Sequence, residues 1–267
     1  MRKYLLAGLG LFISASSLAA DLGVGPAPAP VTPSWTGLYI GVHAGAAWQS
    51  TPTWRFVDPS GFFVPTDVTS SNGGGSTLGA VGGIQGGYNW QFAPAWVVGI
   101  EGDISWTSLS DHRTVAPLTI IPGGGAAFPG TAMAMSANTE WLSSVRGRLG
   151  FTGWFNNTML YATGGVAWAG IEDAAQTTIV SAVIGPEISF TRAFNTTKNG
   201  WVLGGGGEWM ATPNILIRAE YLYYHINNAT TATAEESPPI LLPIIQPNYS
   251  WASYNVQVFR IAGSYKF

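Results

Sequence analysis

The last nine residues, Phe259-Arg260-Ile261-Ala262-Gly263-Ser264-Tyr265-Lys266-Phe267, constrain this chain more than any other stretch. Counting back from Phe267, every second residue (Tyr265, Gly263, Ile261, Phe259) is apolar, aromatic or small. The residues between them (Lys266, Ser264, Ala262, Arg260) are polar, charged or small. Side chains alternate across a strand, so this is a strand with one greasy face and one wet face. A chain ending flush on such an aromatic strand is what a closed outer-membrane barrel requires. Its last strand pairs with its first, and no edge faces lipid. Tyr265 and Phe267 are then the expected C-terminal signal for the outer-membrane assembly machinery.

The start of the chain carries a second address. Arg2 and Lys3 precede an apolar run from Tyr4 to Ile13, and Ser17-Leu18-Ala19 offers small residues for cleavage. This pattern predicts a secretory signal peptide over 1–19. Beyond it there is no run of about 18 apolar residues, so no transmembrane helix is expected. Yet the chain is 46% hydrophobic and only 9% charged, where a soluble domain carries about 25% charge. A secreted chain with so little charge is expected in the bacterial outer membrane, against lipid and lipopolysaccharide. The 0 Cys exclude disulfides and thiolate metal sites. A net charge of −3 leaves no basic footprint for nucleic acid.

Residues 20–34 read as a Pro-rich periplasmic linker. Residues 35–267 read as one all-β domain: an eight-stranded antiparallel transmembrane β-barrel with short periplasmic turns and four long extracellular loops. Parity assigns the faces. In the first strand Leu38, Ile40, Val42 and Trp48 face lipid, and Tyr39 and His43 face in. In the second, Ile84, Tyr88 and Trp90 face out, and Gln85 and Asn89 in. Similar alternation follows Trp96, Glu140, Leu160, Trp201 and Ile215. Phe92-Ala93-Pro94-Ala95, Gly153 to Asn157 and Thr212-Pro213-Asn214 are the short turns. Residues 50–78, 110–138, 173–198 and 228–250 are the long connections. The outward aromatics sort by height into two girdles. Trp48, Trp106, Trp141, Trp168 and Trp201 form the upper one. Trp90, Trp96, Phe151, Trp209 and Phe267 form the lower.

Several segments carry a resemblance. Ala19-Ala20-Asp21-Leu22, a Pro-rich spacer and Ser34-Trp35-Thr36-Gly37-Leu38-Tyr39-Ile40-Gly41 resemble the start of the small porin-like outer-membrane proteins of alphaproteobacteria, the outer-membrane immunogenic proteins. Thr212-Pro213-Asn214, Arg218-Ala219-Glu220-Tyr221-Leu222-Tyr223-Tyr224 and Tyr265-Lys266-Phe267 resemble that family's second half. The resemblance implies an eight-stranded barrel and a surface antigen, and it implies little about chemistry.

The inward charges are the main candidates for a role. Glu101, Asp103, Glu140, Arg146, Arg148, Glu208, Arg218, Glu220 and Arg260 fall on one internal face by parity. Eight strands leave an interior just filled by side chains, and a buried charge without a partner costs several kcal/mol. The expectation is therefore a salt-bridge network that plugs the lumen. The alternative is a narrow polar path for ions or small solutes. Glu101 and Asp103 could form a glycosidase-like carboxylate pair, but the nearby arginines favour a neutralised network.

His43, His112 and His225 show no zinc-site spacing, and no G-x-S-x-G elbow or P-loop is present. No Ser/His pair is placed for nucleophilic work. No cofactor and no enzyme activity is expected. The apolar run Pro238-Pro239-Ile240-Leu241-Leu242-Pro243-Ile244-Ile245 makes loop 228–250 a candidate contact for a cell-surface partner. The expected function is a structural outer-membrane barrel that supports envelope integrity and meets the surroundings through its loops. A narrow-pore porin is the alternative.

Overall fold

The computed structural model describes residues 34–50, 53–57, 63–64, 67–70, 76–115, 119–120, 132–154, 157–179, 188–237 and 248–267. The expected signal peptide and all of the expected linker except Ser34 lie outside the described residues, as does the apolar run within 238–247.

Eight long strands carry the fold: β1 Gly37–Ser50, β2 Ser76–Ala93, β3 Trp96–Val115, β4 Ala132–Phe151, β5 Thr158–Ile179, β6 Ile188–Met210, β7 Ile215–Ile226 and β8 Tyr254–Lys266. All neighbours are antiparallel, in the order β7-β8-β1-β2-β3-β4-β5-β6. β6 pairs in turn with β7, Gly207 opposite Ala219, so the pairings form a ring. The seam expected between the last and first strands is present, with Ile40 opposite Tyr265 and Val42 opposite Gly263. A ring satisfies backbone donors and acceptors from strand to strand, which is what a lipid environment demands.

At this seam Gly45 stands opposite Arg260. A Cβ on Gly45 would run into Phe259 O and would lie 2.7 Å from Arg260 Cα. Only glycine lets β1 and β8 close while Arg260 projects into the lumen.

The alternation holds along the ring. Leu38, Ile40, Val42, Ile84, Ile100, Leu203, Ile217 and Ile261 are exposed on the outer surface, while Tyr39, His43, Gln85 and Asn89 are buried inside. Of the expected girdle residues, Trp90, Trp96, Trp106, Trp168, Trp201, Trp209 and Phe267 are exposed, and Trp48, Trp141 and Phe151 are half-buried. The lower band is denser than expected. Trp96 meets Phe151 edge-on with centroids 5.1 Å apart, and Phe151 meets Trp154 at 5.3 Å.

The structure departs from the expected loops. β3 to β6 run 20 to 23 residues each, whereas about 9–11 tilted residues cross a bilayer. Pairing persists up to Val115 opposite Met133 and Ile179 opposite Ile188. Much of the expected loops 110–138 and 173–198 is therefore barrel wall standing above the upper girdle.

The other two long connections are not open loops either. They supply a second, four-stranded sheet in the order Thr230–Thr233, Asn248–Trp251, Trp54–Val57, Asp67–Ser70. Its Trp54, Phe56, Tyr249 and Trp251 pack with Met133, Met135, Ala137, Ala175 and Phe190 of the raised wall in one buried cluster. Burying aromatics in this way is what makes so small a sheet stable. The four strands adjoin β7, β8, β1 and β2 in the chain and run in that same order, so the sheet, called the cap below, prolongs that side of the ring and shares its apolar core with the raised wall opposite.

Candidate functional site

The lumen is built in tiers. Near the short-turn end, Trp35, Tyr39, Val97, Met159, Tyr161, Met210 and Leu216 form a buried apolar cluster drawn from strands around the ring. Trp35 lies just before β1, where its N–H is held by Gln91 Oε1 at 3.1 Å. Sequence parity gave Trp35 no role, because it precedes the first strand. The sign was its place, one large aromatic directly ahead of the Tyr39 face.

Above that cluster sits an ionic layer. Three of its pairs follow from register alone. Glu101 stands opposite Arg146, Glu208 opposite Arg218, and Glu220 opposite Arg260. Directly opposed side chains on one face are close enough to pair. Longer contacts then cross the interior. Arg146 donates to Glu101 Oε1 at 2.5 Å, to Asp103 Oδ1 at 3.1 Å and to Glu220 Oε1 at 3.0 Å. Arg260 bridges Asp103 Oδ2 at 3.1 Å and Glu220 Oε2 at 2.6 Å. Arg218 joins Glu101 Oε2 at 2.5 Å to Glu208 Oε2 at 2.6 Å. Arg148 reaches Glu208 Oε2 at 3.0 Å and lies over the Tyr161 ring at 4.1 Å. The Tyr39 and Tyr161 hydroxyls donate to Glu101 and Glu220, and Ser144 Oγ donates to Asp103.

These eight side chains are at most 2% exposed. They comprise four carboxylates (Glu101, Asp103, Glu208, Glu220) and four guanidiniums (Arg146, Arg148, Arg218, Arg260), so the layer is neutral. Burying such charges is tolerable only when each is paired and hydrogen-bonded.

Glu140 is a correction. Parity from Arg146 and Arg148 places it inside, but it is exposed. The register of β4 slips between Thr139 and Trp141 against both neighbours. This bulge adds one residue, so Thr139 and Ala137 take the inner face and Glu140 the outer. Turned inward, Glu140 would have put a carboxylate level with the apolar tier at Leu142, and the bulge turns it outward instead.

A further apolar tier closes over the ionic layer, formed by Ala47, Val81, Leu109, Leu142, Val202, Leu222, Val256 and Val258 among others. Higher still, Thr139 Oγ1 donates to Gln49 Oε1 and shares a hydrogen bond with the Tyr254 hydroxyl, and Asn228 Nδ2 donates to Asp173 Oδ2 at 2.9 Å. The cap core lies above them.

The structure brings two Ser/His pairs within hydrogen-bond distance. His43 Nε2 lies 2.8 Å from Ser105 Oγ, and His112 Nε2 lies 2.8 Å from Ser110 Oγ. The His43 pair does not form a triad. Asp103 touches Ser105 rather than the histidine, and His43 Nδ1 has no partner. A triad needs the acid on that nitrogen to fix the tautomer. Among the described residues no cluster of His, Cys, Asp or Glu is placed to hold a metal.

An antiparallel eight-stranded ring, apolar outside, banded with aromatics and carrying paired charges within, defines a β-barrel protein of the bacterial outer membrane. Residues 17–267 match the family described as the outer membrane protein beta-barrel domain, and the chain belongs to that family. It is 30% identical over 275 residues, all of both chains, to the 31 kDa outer-membrane immunogenic protein of Brucella melitensis. It is 28% identical to the 22 kDa outer membrane protein of Rhizobium leguminosarum bv. viciae, over 73% of this chain and 67% of that one. Among solved structures, the outer membrane protein OprG of Pseudomonas aeruginosa aligns with 87% of this chain and 96% of its own at 13% identity, with a TM-score of 0.42.

Proposed function

We propose that this protein is a closed outer-membrane barrel with a structural and surface-presenting role rather than a pore or an enzyme. The observation that carries this reading is the neutral layer of four carboxylates and four guanidiniums held between two apolar tiers. A hydrated ion crossing it would have to part several desolvated pairs and then enter two apolar constrictions. Both are costly, because a buried charge loses its partner and an apolar constriction excludes water.

In this reading the short turns face the periplasm and the cap faces outward. The girdles contact membrane lipid and lipopolysaccharide, and the Tyr265–Phe267 end is read by the assembly machinery. The cap, as the outermost folded part, is the surface offered to the surroundings. The test is single-channel conductance of the refolded protein in a planar lipid bilayer. A silent wild type is expected. Stable conductance steps in the wild type would overturn the closed reading and make the protein a small porin.

A further inference from the structure

The base of the cap holds a buried pair with one bond too few. Asp173 on β5 and Asn228, between β7 and Thr230–Thr233, are both fully buried. Asn228 Nδ2 donates to Asp173 Oδ2 at 2.9 Å. The remaining oxygen of each, Asp173 Oδ1 and Asn228 Oδ1, has no hydrogen-bond partner. Two orphaned acceptors in one bonded pair are expensive, since buried polar atoms are almost always satisfied. A carboxylic acid and a primary amide satisfy each other completely by two parallel bonds, one donated from each side.

We propose that Asp173 and Asn228 form a proton-operated latch that fastens the cap to the barrel wall. With a proton taken from water onto Asp173 Oδ1, that hydroxyl donates to Asn228 Oδ1 and both orphans are paired. When the proton leaves to water, two acceptors remain without a donor between them. The Asn228 connection then loosens, and the cap strand that follows it loosens too.

The surroundings support this. Asp173 lies five residues beyond the upper-girdle Trp168 on β5, above the membrane-spanning part of the wall. Burial pushes its carboxyl up from 3.8 to about 6. The Asn228 amide hydrogen bond and, after it, Lys198 on β6 pull the other way, and Lys198 Nζ is itself engaged with Thr230 Oγ1 at 2.5 Å, on the same connection. From β8 the neighbour is the Tyr254 hydroxyl, which is occupied with Thr139 Oγ1 at 2.8 Å. On β4 the residue opposite is Ala137, and beyond it on β3 stands the buried carboxylate of Asp111. Glu172, next along β5, faces outward and is exposed. Among the described residues no donor bonds to Asp173 Oδ1, and a proton there would supply one for Asn228 Oδ1.

This device is separate from the closed-lumen reading, and its test is chosen to be blind to conductance. The chain has 0 Cys, so a Thr231→Cys substitution on the exposed face of the cap accepts a single nitroxide label. The labelled full-length protein is folded into lipid vesicles and its EPR line shape followed from pH 4.5 to 8. The label should be immobile in acid and become mobile with a midpoint near the carboxyl's value of about 6. The latched fraction should fall about tenfold per pH unit above that midpoint, as any protonated fraction does.

Asp173→Asn supplies a permanent donor, so it should keep the label immobile across the range. Asn228→Leu removes the acceptor and should leave it mobile throughout. Heat-modified gel mobility establishes that each barrel is folded. A label whose mobility ignores pH in the parent would overturn the latch. So would an Asp173→Asn variant that titrates like the parent or is mobile at every pH.

Discussion

Arg146 touches three carboxylates at once, with none of its side chain exposed. Removing it leaves Arg260 as the one cation still in reach of all three of Glu101, Asp103 and Glu220, and leaves four buried carboxylates facing three guanidiniums. Breaking a buried pair by deleting one partner costs about 3–5 kcal/mol. Arg146→Ala is therefore expected to lower the unfolding free energy by that amount, measured by urea titration in lipid vesicles. Glu140→Ala, outside the layer, is the control and should fall within about 0.5 kcal/mol of the parent, as surface changes do. Equal losses in the two variants would mean that the layer carries no more energy than the surface.

At Asp173 the sign of the pH dependence is fixed by the direction of the shift. Its folded carboxyl titrates at about 6 instead of 3.8, so the folded state binds the proton more tightly than the unfolded chain. That contribution is fully present below about pH 4 and is lost as pH rises through about 6. The urea midpoint of the cap should fall across that window and level off above it. Asp173→Asn should flatten the slope. A slope left unchanged by the substitution would assign it to another group.

At the scale of elements, the eight barrel strands were legible because each buries one face, and a one-residue slip would expose the wrong side. Glu208 was legible as a neighbour of Arg218 and Glu220 because the short turn at Thr212-Pro213-Asn214 fixes their register. Two things were not. The bulge at Glu140 leaves no mark in Thr139-Glu140-Trp141, because an inserted residue shows only against its partner strands. The cap was not legible strand by strand because its strands are only four residues long, although Trp54–Val57 against Asn248–Trp251 prolongs the β1–β8 seam.

The cap core makes a prediction of its own. Trp251 is 2% exposed and meets Phe194 edge-on at 5.1 Å. Truncating a buried Trp or Phe costs about 3–5 kcal/mol, more than so small a sheet can lose. Trp251→Ala or Phe56→Ala should make segments 53–57 and 230–251 open to added protease, while the barrel keeps its heat-modified gel shift. Trp154→Ala, at an exposed lower-girdle position, should leave the digestion pattern unchanged. Loss of the gel shift together with the cap would mean that cap and barrel fold as one cooperative unit.

On the scale of the whole molecule, the barrel could be read from its last strand, but what fills it could not. The tiers depend on which strand positions share a height, and height follows from the stagger of the ring rather than from any one strand. The result is a division of labour. The ionic layer and its flanking apolar tiers lie within the ring, while the cap sheet packs against the raised wall of β4 to β6. Two structures could therefore close the same lumen, and one variant separates them. Replacing 52–75 and 229–253 with tight turns removes the cap sheet and leaves every member of the ionic layer, along with Trp35, in place. Ring pairing from β7 through β8 to β1 is independent of the cap, so this shortened protein should still fold and show the gel shift. It should also remain silent in a planar bilayer, because the proposed seal is the desolvated pairs and the two apolar tiers. Conductance in the shortened barrel with silence in the parent would move the seal from the lumen to the cap, and the ionic layer would then serve shape alone.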